Sequence, residues 1–144
     1  MLSPEKLKVL VVEDNADDVT IIKRAMRKSE VKCELYFAYD GEEAINFLHN
    51  TGEFEDAPRP DLILLDLNLP KINGLQVLAQ IKEDERLRRI PVIVLTVSTS
   101  QEDMVKAYDS GAASYMTKPV DSKDFERLIE TVKEYWRIAS IPSE

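Results

Sequence analysis

The sequence predicts an α/β fold in which βα units repeat around a buried parallel sheet. Three observations carry that prediction. Short apolar runs rich in Val, Ile and Leu alternate with stretches whose apolar residues recur every three or four positions. Most of the runs lack polar alternation, as strands covered on both faces do. The chain has 144 residues, 44% of them hydrophobic, enough for one compact core.

Five units follow in order. Val9 to Val12 is an unbroken apolar run and reads as the first strand, and Val19, Ile22 and Met26 behind it recur at helical spacing. Cys33 to Ala38 reads as the second strand; Cys33, Leu35 and Phe37 alternate with Glu34 and Tyr36, the pattern of a sheet edge. Asp40 starts the second helix, with Glu43 three residues on as in a capping box. Residues 50–59 turn polar and contain Gly and Pro, an exposed loop. Leu62 to Leu65 is the third strand, Pro70, Asn73 and Gly74 punctuate a turn, and Leu75, Leu78 and Ile81 make the stripe of a third helix. Pro91 to Leu95 is the fourth strand. The fourth helix carries Met104, Val105 and Tyr108 on one face and stops at Gly111, a suitable left-handed residue. Ser114 to Thr117 is a short fifth strand, and Asp121 caps a last helix with Phe125, Leu128, Ile129, Val132, Tyr135 and Trp136 as its apolar positions. The expectation is a single domain over residues 1–144, with its core at about 7–137 and a tail at 138–144.

Composition excludes several function classes. The formal net charge of -8 works against non-specific nucleic-acid binding. Lys23, Arg24, Arg27 and Lys28 cluster, but on one helix, where a solvated face is expected. Cys33 is the only cysteine, so no intramolecular disulfide or thiolate metal cluster can form, as fits the cytoplasm. His49 is the only histidine, which removes multi-histidine metal sites; a surface or half-buried role is expected for it. Met1 to Lys8 is polar and does not resemble a secretory signal, and no apolar run reaches the ~18 residues of a membrane span.

In an open parallel sheet, ligands bind beyond the carboxyl ends of the strands. Glu13 and Asp14 follow strand one, Asp66 follows strand three, Thr96 follows strand four and Lys118 follows strand five, so all five residues are expected at one sheet edge. Alone, an aspartate after a strand is a turn former or a helix cap. Together, three carboxylates repel one another unless a cation sits among them, and an all-oxygen set with few protein ligands suits Mg²⁺.

These residues resemble the receiver domain family of response regulators. The match covers nearly the whole chain and rests on "VVEDN" with Glu13 and Asp14, "LILLDLNLP" with Asp66, "VIVLT" with Thr96, and "YMTKP" with Tyr115, Lys118 and Pro119. The resemblance implies a doubly wound, flavodoxin-like (βα)5 fold with strand order 2-1-3-4-5. It further implies that Asp66 takes a phosphoryl group from a kinase phosphohistidine, with Mg²⁺ held by Glu13, Asp14, Asp66 and the backbone carbonyl of Asn68. Lys118 would offset phosphoryl charge and Thr96 would hydrogen-bond it. Tyr115 would turn inward as part of a two-state switch, although ordinary packing beside strand five is its structural alternative. Pro119 resembles the family's cis-proline, which aims the lysine at the site. An unphosphorylated scaffold on the same fold is disfavoured by the complete acid, threonine and lysine set.

Two positions depart from the family pattern, and a third is free to vary. Val97 stands where a smaller residue is usual and narrows access to the phosphoryl group; Asn73 replaces a frequent aspartate in a turn that tolerates either; the Asn68 side chain is free to tune attack by water. Asn68 also argues against a haloacid-dehalogenase-type phosphotransferase, which needs a second carboxylate there. A flavodoxin-like flavin carrier fails because its phosphate would meet Asp14 and Asp66. With no output domain expected after the last helix, signalling would run through protein contacts to a downstream protein of unknown identity. The "GEFEDAPRPDLILLDLNLP" segment and the "EYWRIASIP" tail resemble small stand-alone regulators paired with phytochrome-type histidine kinases. Tyr135, Trp136, Ile138, Ile141 and Pro142 extend the apolar stripe past the sheet, which predicts a homodimer through the fourth and fifth helices or the tail.

Overall fold

The computed structural model describes residues 6–28, 32–97, 99–118 and the helical positions 123, 124, 126–128, 130, 131 and 134. Strands and helices alternate as β1 (Leu7–Val12), α1 (Ala16–Lys28), β2 (Cys33–Ala38), α2 (Gly41–His49), β3 (Leu62–Leu65), α3 (Gly74–Glu83), β4 (Val92–Thr96), α4 (Gln101–Asp109) and β5 (Ser114–Thr117). The helical positions within 123–134 follow β5. All pairings are parallel and the sheet order is β2-β1-β3-β4-β5. The chain steps outward from β1 to β2 and then builds β3, β4 and β5 on the other side of β1. The order therefore reverses between β1 and β3.

The unbroken apolar runs are explained by two cores, one on each face. Leu10 and Val12 of β1, Ile63 and Leu65 of β3, and Val92 and Val94 of β4 face a cluster completed by α2, α3 and α4 through Ala44, Phe47, Val77, Leu78, Ile81 and Ala107. The alternate residues Val9, Val11, Leu62, Leu64, Ile93 and Leu95 face a second cluster with Ile22 and Ala25 of α1, against which Leu128 also packs. A strand buried on both faces has no polar position to alternate with. Leu10, Ile63 and Leu78 are fully buried, and truncating any of them to alanine is expected to cost roughly 2–5 kcal/mol.

β2 is an edge strand, and its residues before Ala38 are only half-buried. Several local expectations need correction. β1 begins at Leu7 rather than Val9, and β4 spans Val92–Thr96 rather than Pro91 to Leu95; Pro91 has no N–H for the ladder, though its carbonyl accepts from Ile63 N–H. In α3 the buried stripe is Val77, Leu78 and Ile81, while Leu75 lies at its margin. In α4 the side chain in the core is Ala107; on the face carrying Met104, Val105 and Tyr108, the last two are exposed and Met104 is half-buried. Asp40 caps α2 by accepting from Glu43 N–H, but the Glu43 carboxylate reaches Tyr39 N–H rather than that of Asp40. The loop after α2 contains a short 3-10 turn, Gly52–Phe54, whose Phe54 packs on the core. Gly111 has φ +106, the left-handed conformation expected of it.

Asp121, Phe125, Ile129, Val132, Tyr135, Trp136 and the tail at 138–144 lie outside the described residues, as does Pro119. His49 is exposed and bonds to Asp84 at 2.9 Å, and Lys23, Arg24, Arg27 and Lys28 are exposed, as expected. Among the described residues, no helix is long and apolar enough to cross a membrane.

Candidate functional site at the carboxyl ends of the strands

The carboxyl ends of β1, β3, β4 and β5 bring Glu13, Asp14, Asp66, Thr96 and Lys118 to one edge of the sheet, beside the reversal of strand order. Glu13, Asp66 and Thr96 are the buried polar residues there, whereas Asp14 is exposed. The ladder extends just far enough to place them. Glu13 N–H donates to Ala38 O, Asp66 N–H to Val12 O, and Lys118 N–H to Thr96 O, each at 2.8–3.0 Å.

The segment after Asp66 is buttressed from two sides. Asn68 N–H donates to Asp66 Oδ1 at 3.1 Å, which orients the carboxylate, while Asn68 itself is exposed. Gly74, the first residue of α3, lies directly on that backbone: a Cβ there would sit 2.4 Å from Asp66 O and 2.5 Å from Leu67 Cα. Only glycine permits this approach. Asn73 caps α3 with a reciprocal capping box to Gln76, so its role is structural, as an amide or a carboxylate could perform it. On the other side, a Cβ on Gly41 of α2 would lie 2.1 Å from Ile72 O. Lys71, at φ +68, reaches back to Asp40 and Glu42 of α2 at 3.5 and 3.2 Å.

The electrostatics converge on one ammonium group. Lys118 Nζ lies 2.6 Å from Glu13 Oε1, 2.8 Å from Asp18 Oδ2 and 3.1 Å from Asp66 Oδ2, with the Lys118 side chain only 6% exposed. Burial pushes the Lys118 pKa down, but hydrogen bonds to Asp18 and Glu13 and the charges of Asp66 and Glu13 more than offset this, so the ammonium is held above its ordinary range. Glu13 shows the opposite imbalance. Burial, with the nearby Asp66 charge, raises its carboxyl pKa to about 7 despite the pull of Lys118. Its buried Oε1 is ion-paired with Lys118 Nζ at 2.6 Å; Oε2 accepts from Asn15 N–H at 3.1 Å.

Glu13, Asp14 and Asp66 each offer an oxygen, all within 4.8 Å of one another. A divalent cation fits this set: the donors are hard oxygens, and the mutual repulsion of three clustered carboxylates needs neutralising. Tyr115, in register with Val94, is half-buried and packs on the α2-α3-α4 side of the sheet. Val97, just past Thr96, is 66% exposed.

Asp18 is absent from the set expected from sequence. Its place in the first turn of α1 reads as an acid favourable to the helix N-terminus, and its N–H does bond to Asn15 Oδ1 at 3.0 Å. The available signal is spacing. Asp18, Ile22 and Ala25 share one helix face, and the latter two are buried against the sheet.

Comparison with known proteins agrees with this geometry. Residues 9–132 match the family described as the response regulator receiver domain. Response regulator Rcp1 of a Synechocystis species is 40% identical over 134 residues, covering 93% of this chain and 90% of that protein. Among solved structures, the phosphorylated cyanobacterial phytochrome response regulator RcpA matches with a TM-score of 0.78 at 40% identity, covering 94% of this chain and 97% of that one. The Mn²⁺-bound form of Rcp1 matches with a TM-score of 0.77 at 38% identity, covering 96% and 99%.

Proposed function

The chain belongs to the response regulator receiver family of two-component systems, and we propose that it is switched by phosphorylation of Asp66 with Mg²⁺, a histidine kinase being the donor. The observation that carries this reading is the oriented Asp66 carboxylate beside a buried ammonium and two further acids. An Asp66 oxygen forms the new bond to phosphorus as the bond from phosphorus to the kinase imidazole nitrogen breaks, and the departing nitrogen keeps that electron pair. Glu13, Asp14, Asp66 and the Asn68 carbonyl would hold the Mg²⁺, which when bound supplies positive charge for the phosphoryl oxygens. Lys118 supplies the second positive charge from the protein. Thr96 donates its hydroxyl to the phosphoryl group, and Tyr115 follows the β4–α4 segment inward; the family resemblance gives Pro119 the role of aiming Lys118.

The similarity to phytochrome response regulators supports a phytochrome-type kinase as the partner. Signalling then passes to a downstream protein by surface contact in the cytoplasm. The experiment is incubation with acetyl phosphate and Mg²⁺, read by intact mass: one base-labile phosphoryl group is expected on the wild type and none on Asp66→Asn, and equal labelling of the two would contradict the assignment.

Val105 and Tyr108 on the outer face of α4 support self-association through this surface as a second element of the reading. Sedimentation with and without beryllofluoride is expected to show a dimer that Val105→Asp weakens; a monomer at all micromolar concentrations would remove it.

A further inference from the structure

Four carboxylates approach the phosphorylation site, and they differ in what a divalent cation would do to them. Glu13, Asp14 and Asp66 form the metal-competent group. Asp18 does not belong to it, yet its Oδ2 lies 2.8 Å from Lys118 Nζ, closer than the 3.1 Å from Lys118 to Asp66. In the metal-free state Lys118 has three anionic partners among the described residues. Once a dication draws on Glu13 and Asp66, two of these are shared, and the dication repels the ammonium at short range. The one counter-ion left wholly to Lys118 is Asp18.

We propose that Asp18 is the positioning residue that keeps Lys118 beside Asp66 when the metal is bound, and so sets the rate of phosphoryl acceptance. The inference rests on the reading of Asp66 as acceptor. Helix stabilisation does not account for the contact, because Asp17 occupies the same first turn, is exposed, and supplies the same favourable charge. The Asp18 side chain instead spans 100 positions of sequence to reach Lys118. It is 25% exposed, against 6% for Lys118, so it ties the ammonium from the solvent side.

The test is the rate of acetyl phosphate labelling at saturating Mg²⁺. Asp18→Asn is expected to slow labelling by about tenfold, the scale of losing a charge-assisted hydrogen bond that orients a group at the reacting centre. Asp18→Glu should recover much of the rate, and Asp17→Asn should leave it unchanged. In a Lys118→Ala background, Asp18→Asn should add little further loss, because two residues acting as one unit are not additive. Wild-type rates in Asp18→Asn, or an equal loss in both backgrounds, would overturn the positioning role while leaving Asp66 as acceptor. A wild type that takes no label at all would overturn the acceptor reading and the role of Asp18 with it. Should Lys118→Ala not fold, the Asp18→Glu rescue still decides, since Asn and Glu variants of equal rate would contradict the proposal.

Discussion

Two lysines in this molecule sit among carboxylates, at very different depths. Lys71, 59% exposed, pairs with Asp40 and an equally exposed Glu42 across the Asp66 loop and α2. Lys118, 6% exposed, pairs with Glu13, Asp18 and Asp66, whose side chains are 1%, 25% and 7% exposed. Around Lys71, water can solvate whatever is left unpaired, so the pair fastens a loop and little more. Around Lys118, an unpaired charge cannot be solvated, and acids outnumber the cation. A protein concerned with stability alone has little reason to bury such an excess of one sign. The difference supports the proposal that the buried cluster accommodates a further cation and a phosphoryl group.

Removing each lysine in turn separates the two environments. Lys118→Ala leaves buried carboxylates without their cation and should lower the metal-free unfolding free energy by about 3 kcal/mol, with Mg²⁺ restoring part of it in urea titrations. A smaller loss that Mg²⁺ does not restore would mean that the cluster is not metal-competent. Next in size is Gly74→Ala, which would drive a methyl group into the Asp66 backbone. It should cost roughly 1–3 kcal/mol and slow phosphorylation as well, since the Asp66 loop must shift; a stable variant that labels normally would show that the close approach does not position Asp66. Lys71→Ala should be the mildest change, with no measurable effect on unfolding or on labelling.

Much of this was legible in the sequence because depth leaves a mark. β3 is a run of four residues buried on both faces, so Leu62–Leu65 had to read as a strand, and the acid behind it had to lie at a strand end. Glu13, Asp66, Thr96 and Lys118 were found by the same logic. Strand order came with the family resemblance rather than with periodicity, which cannot say which strands are neighbours. Asp18 escaped because acids in a first helical turn are common, and only the packing of α1 shows that this one faces Lys118. On α4 the spacing of Met104, Val105 and Tyr108 showed a shared face but not its direction: Val105 and Tyr108 are exposed, Met104 is half-buried, and the buried side chain is Ala107.

On the proposed function, the buried cluster accepts a phosphoryl group only together with a divalent cation. Fluorine NMR of the protein with beryllofluoride, a mimic of the phosphoryl group, tests it most directly. One bound species per chain is expected, appearing only when Mg²⁺ is present and absent from Asp66→Asn. Binding without a divalent cation, or equal binding to Asp66→Asn, would contradict it.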